Sequence, residues 1–100
     1  MGENVHMEKK TDRTIITVVG KDTVGIIAGV CTYLAEHQIN ILDISQTIVQ
    51  GLFNMMMIVD ISGSDQGFSV ISDDLERVGK EIGVTIHCQK EEIFDMMHRI

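Results

Sequence analysis

The sequence predicts an α+β domain of order β-α-β-β-α-β with an added carboxy-terminal helix, on three observations. Apolar positions alternate between strand-like and helix-like spacing in that order, glycines or short polar clusters mark the junctions, and no proline occurs in the 100 residues. Right-handed crossovers in that order give a split β-α-β sheet with both main helices on one face and the opposite face partly bare.

The first strand is TIITVVG, from Thr14 to Gly20, β-branched and apolar at almost every position, as expected of a central strand. Helical spacing follows at Ile27, Val30, Cys31, Leu34 and Ala35, with Asp22 or Thr23 as N-cap and an end near His37. Two apolar runs then meet at Gln50–Gly51, a junction suited to a tight hairpin. On the first run Leu42, Ile44 and Ile48 share a face, opposite Asp43, Ser45 and Thr47. On the second, Phe53, Met55, Met57, Val59 and Ile61 share one face and Met56 and Ile58 the other, which predicts a strand inside the sheet or under a partner chain.

SGSDQG breaks the pattern at residues 62–67, and Phe68, Ile71, Leu75, Val78 and Ile82 form a second helical stripe closed by Gly83. Val84, Ile86 and Cys88 alternate as a short fourth strand, and Ile93, Met96, Met97 and Ile100 mark the terminal helix. Residues 1–12 are polar and without period, and read as a flexible leader with Met7 as an alternative start; residues 13–100 form one domain.

Composition excludes several function classes. A formal charge of −7 and a pI near 4.8 oppose binding to a nucleic-acid backbone, and one tyrosine with three phenylalanines supplies little base stacking. No apolar run is long enough for a membrane span and no signal-peptide pattern opens the chain, so a cytoplasmic location is expected. Cys31 and Cys88 fall on apolar segments and read as buried thiols of a reducing compartment.

The loop GKDTVG, between the first strand and helix, fits neither known phosphate loop: no Ser or Thr follows Lys21, and the glycine spacing of a dinucleotide fingerprint is absent. Gly25 and Gly29 lie on one side of the helix, where small residues permit close packing. Gly25 also belongs to the first turn, whose unpaired N–H groups favour a carboxylate, while Asp22 can accept from an ammonium group. The pair therefore reads either as a zwitterion site or as a helix cap, and Asn40 either as a polar ligand contact or as a turn residue.

Catalytic material is sparse. His6, His37, His87 and His98 have no metal or nucleophile spacing, Asp73–Asp74 and Glu91–Glu92 read as solvated charges near helix starts, and the consecutive Met55, Met56 and Met57 alternate faces and cannot converge on one ion. No cofactor is expected. An acylphosphatase-like enzyme would need an arginine in the loop that carries Lys21.

VVGKDTVGIIAGV together with INILDISQ resembles the ACT domain, over about residues 13–100, and the chain looks most like the stand-alone bacterial and archaeal members related to glycine-cleavage regulators. The resemblance implies a ferredoxin-like fold, dimers that often join sheets edge to edge, small ligands such as amino acids at the interface, and no catalysis. It also implies binding roles for Asp22 and Gly25 of one chain and Asn40 of the other, with Ile26 and Ile41 on the apolar side. Asp at position 22 and Val at position 24 depart from the Asn and Pro of amino-acid-binding members. The reading is a homodimeric sensor that signals to a separate regulated protein. Its rival is a ligand-free module that docks a partner through the dimer surface and the terminal helix, where Met96, Met97 and Ile100 form an apolar edge.

Overall fold

A computed structural model describes residues 12–91. Its elements are β1 (Arg13–Lys21), α1 (Ile26–Glu36), β2 (Asn40–Val49), β3 (Leu52–Asp60), α2 (Phe68–Ile82) and β4 (Val84–Lys90). They form one antiparallel sheet in the order β2-β3-β1-β4. The order and the interior places of β1 and β3 agree with expectation, and the fold is ferredoxin-like. The expected terminal helix and residues 1–11 of the leader lie outside the described residues. Asp12, counted with the leader, is tied to the sheet: its N–H donates to Asp60 Oδ1 at 3.1 Å and its carbonyl accepts from Ile61 N–H at 3.0 Å.

One face of the sheet carries the core. Ile16 and Val18 of β1, Met57 and Val59 of β3, and Ile86 and Cys88 of β4 pack against Ile26, Val30 and Leu34 of α1 and Ile71 and Leu75 of α2. Burial pushes the Cys88 thiol up to about 11, so it stays protonated and inert. The β2–β3 hairpin turns on Gln50 (φ 55°) and Gly51 (φ 79°), the positive-φ pair that a two-residue turn requires.

Three local expectations are corrected. α1 begins at Ile26, and its N-cap is Gly25 with φ 96° and no side-chain cap, so neither Asp22 nor Thr23 performs that role. β1 runs on to Lys21, paired with Leu52, and the Asp22 N–H is held by the Gly51 carbonyl at 2.8 Å; the chain then turns into the helix through the left-handed glycine. The buried stripe of α1 is Ile26, Val30, Tyr33 and Leu34, rotated from the expected one: Ile27 and Ala35 are exposed and Cys31 half-buried. In β2 a bulge between Ile41 and Asp43 makes Leu42 an extra residue, so Ile41, Ile44 and Ile48 oppose Val59, Met57 and Phe53.

Two glycines set how closely the helices lie. A Cβ at Gly79 would stand 2.7 Å from the Val84 carbonyl oxygen, a fixed backbone atom, whereas one at Gly29 would meet the Cδ1 of Ile82 at 2.6 Å, the end of a flexible side chain. Close packing thus explains Gly29; at Gly25 nothing lies within 4 Å and the conformation alone demands glycine.

The helices are also joined by a polar contact. Tyr33 Oη donates to Asp74 Oδ2 at 2.7 Å, Arg77 reaches Asp74 Oδ1 at 3.0 Å, and the Tyr33 ring lies 4.3 Å from the His37 ring. Asp74 is therefore not the solvated charge expected. Its hydrogen bond from Tyr33 holds its carboxyl below the usual carboxylate range, and burial followed by Asp74 raises the Tyr33 hydroxyl well above its ordinary value.

Gly79→Ala should cost about 1–3 kcal/mol in urea unfolding because backbone must shift, and Gly29→Ala distinctly less because Ile82 can rotate away. Tyr33→Phe should cost about 1–2 kcal/mol at neutral pH. A carboxyl whose pKa is lowered on folding stabilises above its unfolded value, near 4, and that contribution is lost as pH falls through the folded value. The gap between wild type and Tyr33→Phe in urea midpoint should accordingly narrow below pH 4; a constant gap down to pH 2 would show that Asp74 is not the partner that matters.

Candidate functional site

The two halves of the expected site lie at opposite ends of the sheet. β1 and β2 both run antiparallel to β3, with Lys21 and Val49 opposite Leu52 at one end and Arg13 and Asn40 opposite Asp60 at the other. At about 3.3 Å per strand residue, roughly 30 Å separates the loop 22–25 from Asn40 within one protomer. The structure brings Asp22 and Gly25 together and leaves Asn40 and Ile41 apart from them.

The loop is exposed. Asp22 and Gly25 face solvent, and Val24 is 99% exposed at the tip. Thr23 Oγ1 donates back to the Lys21 carbonyl at 3.2 Å. The first intrahelical bond runs from Gly29 N–H to the Gly25 carbonyl at 2.9 Å, so the N–H groups of Ile26, Ile27 and Ala28 have no partner inside the helix. Those donors and the helix dipole suit an anionic group, and the Asp22 carboxylate suits a cationic one. Ile26 differs from expectation in one respect: its side chain is 2% exposed and belongs to the core, so it offers a ligand its backbone N–H.

The second half is a strand edge. Every residue of β2 is exposed, including Ile41, Leu42, Ile44, Ile48 and Val49, and the strand contains no lysine, arginine or proline. Edge strands are ordinarily protected by charge, proline or brevity. β2 has ten residues and one charge, Asp43, whose carboxylate accepts from the Ile44 N–H at 2.9 Å.

Two surface depressions among the described residues lie away from the loop and from Asn40. One of about 300 Å³ lies between α2 and β4, lined by Ser72, Glu76, Lys80, Thr85 and His87, and one of about 240 Å³ lies on the helix-free face beside Thr17, Val19, Asn54 and Met56. Among the described residues no three His, Cys, Asp or Glu side chains are grouped to hold a metal, and no helix is long and apolar enough to cross a membrane. The Tyr33–Asp74 contact was missed in the sequence; the signal for it is Tyr33 itself, three positions after Val30 on the buried side of α1.

Fold, loop and edge together define a ferredoxin-like module with a helix-start loop at one end of the sheet. Residues 12–89 match the ACT domain, and the chain belongs to the ACT-domain family. A UPF0237 protein of Bifidobacterium longum is 62% identical over 89 residues, covering 89% of this chain and 99% of that protein. An ACT domain protein from Streptococcus pneumoniae has a solved structure 42% identical in sequence, with a TM-score of 0.75 over 86% of this chain and 97% of that one. The regulatory subunit of aspartate kinase from Thermus thermophilus, in ligand-free form, is 27% identical with a TM-score of 0.61, over 80% of this chain and 52% of that one. ACT domains are regulatory modules that bind amino acids.

Proposed function

We propose that this protein is a homodimeric, non-catalytic sensor that binds a small zwitterionic metabolite such as an amino acid between subunits and signals to a separate regulated protein. The observation that carries this reading is the bare β2 edge, apolar and almost uncharged along ten residues. Antiparallel pairing of β2 with its copy about a two-fold axis satisfies the edge N–H and C=O groups and buries Ile41, Ile44 and Ile48.

The same operation resolves the separation within one protomer. It sets the start of one β2 beside the end of the other, so Asn40 of the partner subunit comes next to Val49, at the end of the sheet that carries the loop. The loop is linked to that end through the Asp22–Gly51 hydrogen bond. In the proposed site the N–H groups at the start of α1 take the ligand carboxylate, Asp22 takes the ammonium, and Asn40 and Ile41 of the partner subunit close the other side.

Two measurements test the two parts separately. Ile44→Lys with Ile48→Lys should halve the mass in sedimentation equilibrium; an unchanged mass removes the β2 interface. Thermal unfolding against the twenty amino acids and common metabolites should show one saturable stabilisation. At a hundred times the dissociation constant it amounts to about 2.7 kcal/mol, or on the order of 10 °C. Asp22→Ala and Asn40→Ala should each abolish the shift without lowering the unliganded Tm. A dimer with no shift across the panel would make the chain a ligand-free docking module.

A further inference from the structure

α1 has an open flank. Gly29 and Tyr33 turn to α2: a Cβ at Gly29 would meet Ile82, and the Tyr33 hydroxyl reaches Asp74. At about 100° per residue, Ile27 and Cys31 each stand about 200° from Gly29, on the flank that faces away from α2. α2 lies against β4, with Gly79 beside Val84 and Ile86, and β4 is the strand farthest from β2, so this flank of α1 looks over β2. Ile27 there is 39% exposed and Cys31 half-buried.

β2 presents an aliphatic surface on the same side. Ile41, Ile44 and Ile48 pair with Val59, Met57 and Phe53, which belong to the core under the helices, so all three point to the helix side of the sheet. The helices leave them open, 37%, 43% and 51% exposed. Gln46, opposite Met55, is the one polar side chain that β2 turns this way, and Asp43, opposite Ile58, points to the other face. The result is an uncharged apolar shelf between α1 and the β2 edge. It begins at the end of the sheet that carries the loop 22–25, because Ile48 precedes Val49, and Val49 and Lys21 both pair with Leu52.

We propose that the metabolite is an α-amino acid with an aliphatic side chain, and that Ile27 sets this preference. The assignment rests on the interface site argued above. With the ligand carboxylate at the start of α1 and Asn40 of the partner subunit next to Val49, Ile41 of the partner subunit comes beside Ile48. The ligand side chain then enters the shelf between Ile27, Ile48 and the partner's Ile41. Pairing of two β2 strands joins the two shelves into one trough, floored by β2 and walled by α1 of each subunit. A charged side chain would lose its hydration there with no counter-charge, and a hydroxyl would meet three isoleucines. Methyl and methylene groups are the ones that gain from such a seat.

Calorimetry on the full chain with a graded series of ligands tests this. From alanine to α-aminobutyrate to norvaline, each added methylene should tighten binding about fourfold, so norvaline should bind about sixteenfold tighter than alanine. Serine, which puts a hydroxyl where α-aminobutyrate has a methyl group, should bind more weakly than α-aminobutyrate, and aspartate and lysine should give no heat. Ile27→Ser should flatten the series while leaving alanine binding and the mass in sedimentation equilibrium as in wild type. Ile27 lies outside the core cluster, so the variant should fold. A series in which serine, aspartate or lysine binds tightest, and loses its affinity in Asp22→Ala, would overturn the aliphatic assignment and keep the interface site. An aliphatic preference unaltered by Ile27→Ser would overturn the seat assigned to the side chain. No binding by any amino acid would remove the interface site and this assignment with it. If Ile27→Ser does not fold, the wild-type series decides.

Discussion

The handedness of the two crossovers is the constraint on which the rest of this structure depends. β1 to β2 and β3 to β4 each pass through a helix, and a right-handed path places both helices on the same side of the sheet. Four strands with two helices on one side have one covered face, one helix-free face and two edges. The sequence is distributed accordingly. Ile16, Val18, Met57 and Val59 are fully buried under the helices, and apolar residues without helical cover appear where the topology leaves a surface bare, along β2 and on the far side of β1 and β3. An acidic chain thus keeps a run of exposed aliphatic side chains along one edge of its sheet.

The helix layer is held by shape and by one polar junction. Gly79 lets α2 approach the start of β4 to a distance that any side chain would prevent, and Gly29 gives Ile82 its place between the helices. The Tyr33 hydroxyl, carried on a buried ring, ends at Asp74, while Arg77 balances the carboxylate from the solvent side. A buried hydroxyl with a charged acceptor fixes direction as well as distance, so this contact sets the rotation of α1 that an aliphatic stripe alone would leave loose.

The order of elements was legible because strand and helix periods differ and the breaks between them are chemically marked; Gln50–Gly51 and Gly83 carry the positive φ expected of them. The misreadings share a physical origin in contacts between residues distant in sequence. Asp22 has the side chain of a helix cap, but its N–H is engaged by Gly51, so the helix starts four residues later. The stripe of α1 turned because Tyr33, polar at its tip, is buried through its bond to Asp74, 41 residues away. The bulge at Leu42 is a matter of pairing with β3, and alternation within β2 gives no sign of it. For the candidate site, the loop was legible from Gly25 and Asp22, whereas the distance from that loop to Asn40 is a property of strand direction and register that no local pattern contains.

That distance bears on how such a site could regulate anything. On the proposed reading each half alone is a poor receptor: a helix start and one carboxylate in open solvent, or an asparagine at a strand end. A ligand that touches both halves binds only the paired state, so its binding free energy and that of dimerisation are linked, and each favours the other by the same factor. The loop is coupled to the interface by the Asp22–Gly51 hydrogen bond, which ties the chain before α1 to the turn that ends β2. On that reading a change in how two β2 strands meet would reach the start of α1 through that turn, and α1 is joined to α2 through Tyr33 and Asp74. On the proposed reading, the signal available to a regulated protein is the relative placement of the two sheets, with the helix layer joined through Tyr33 and Asp74.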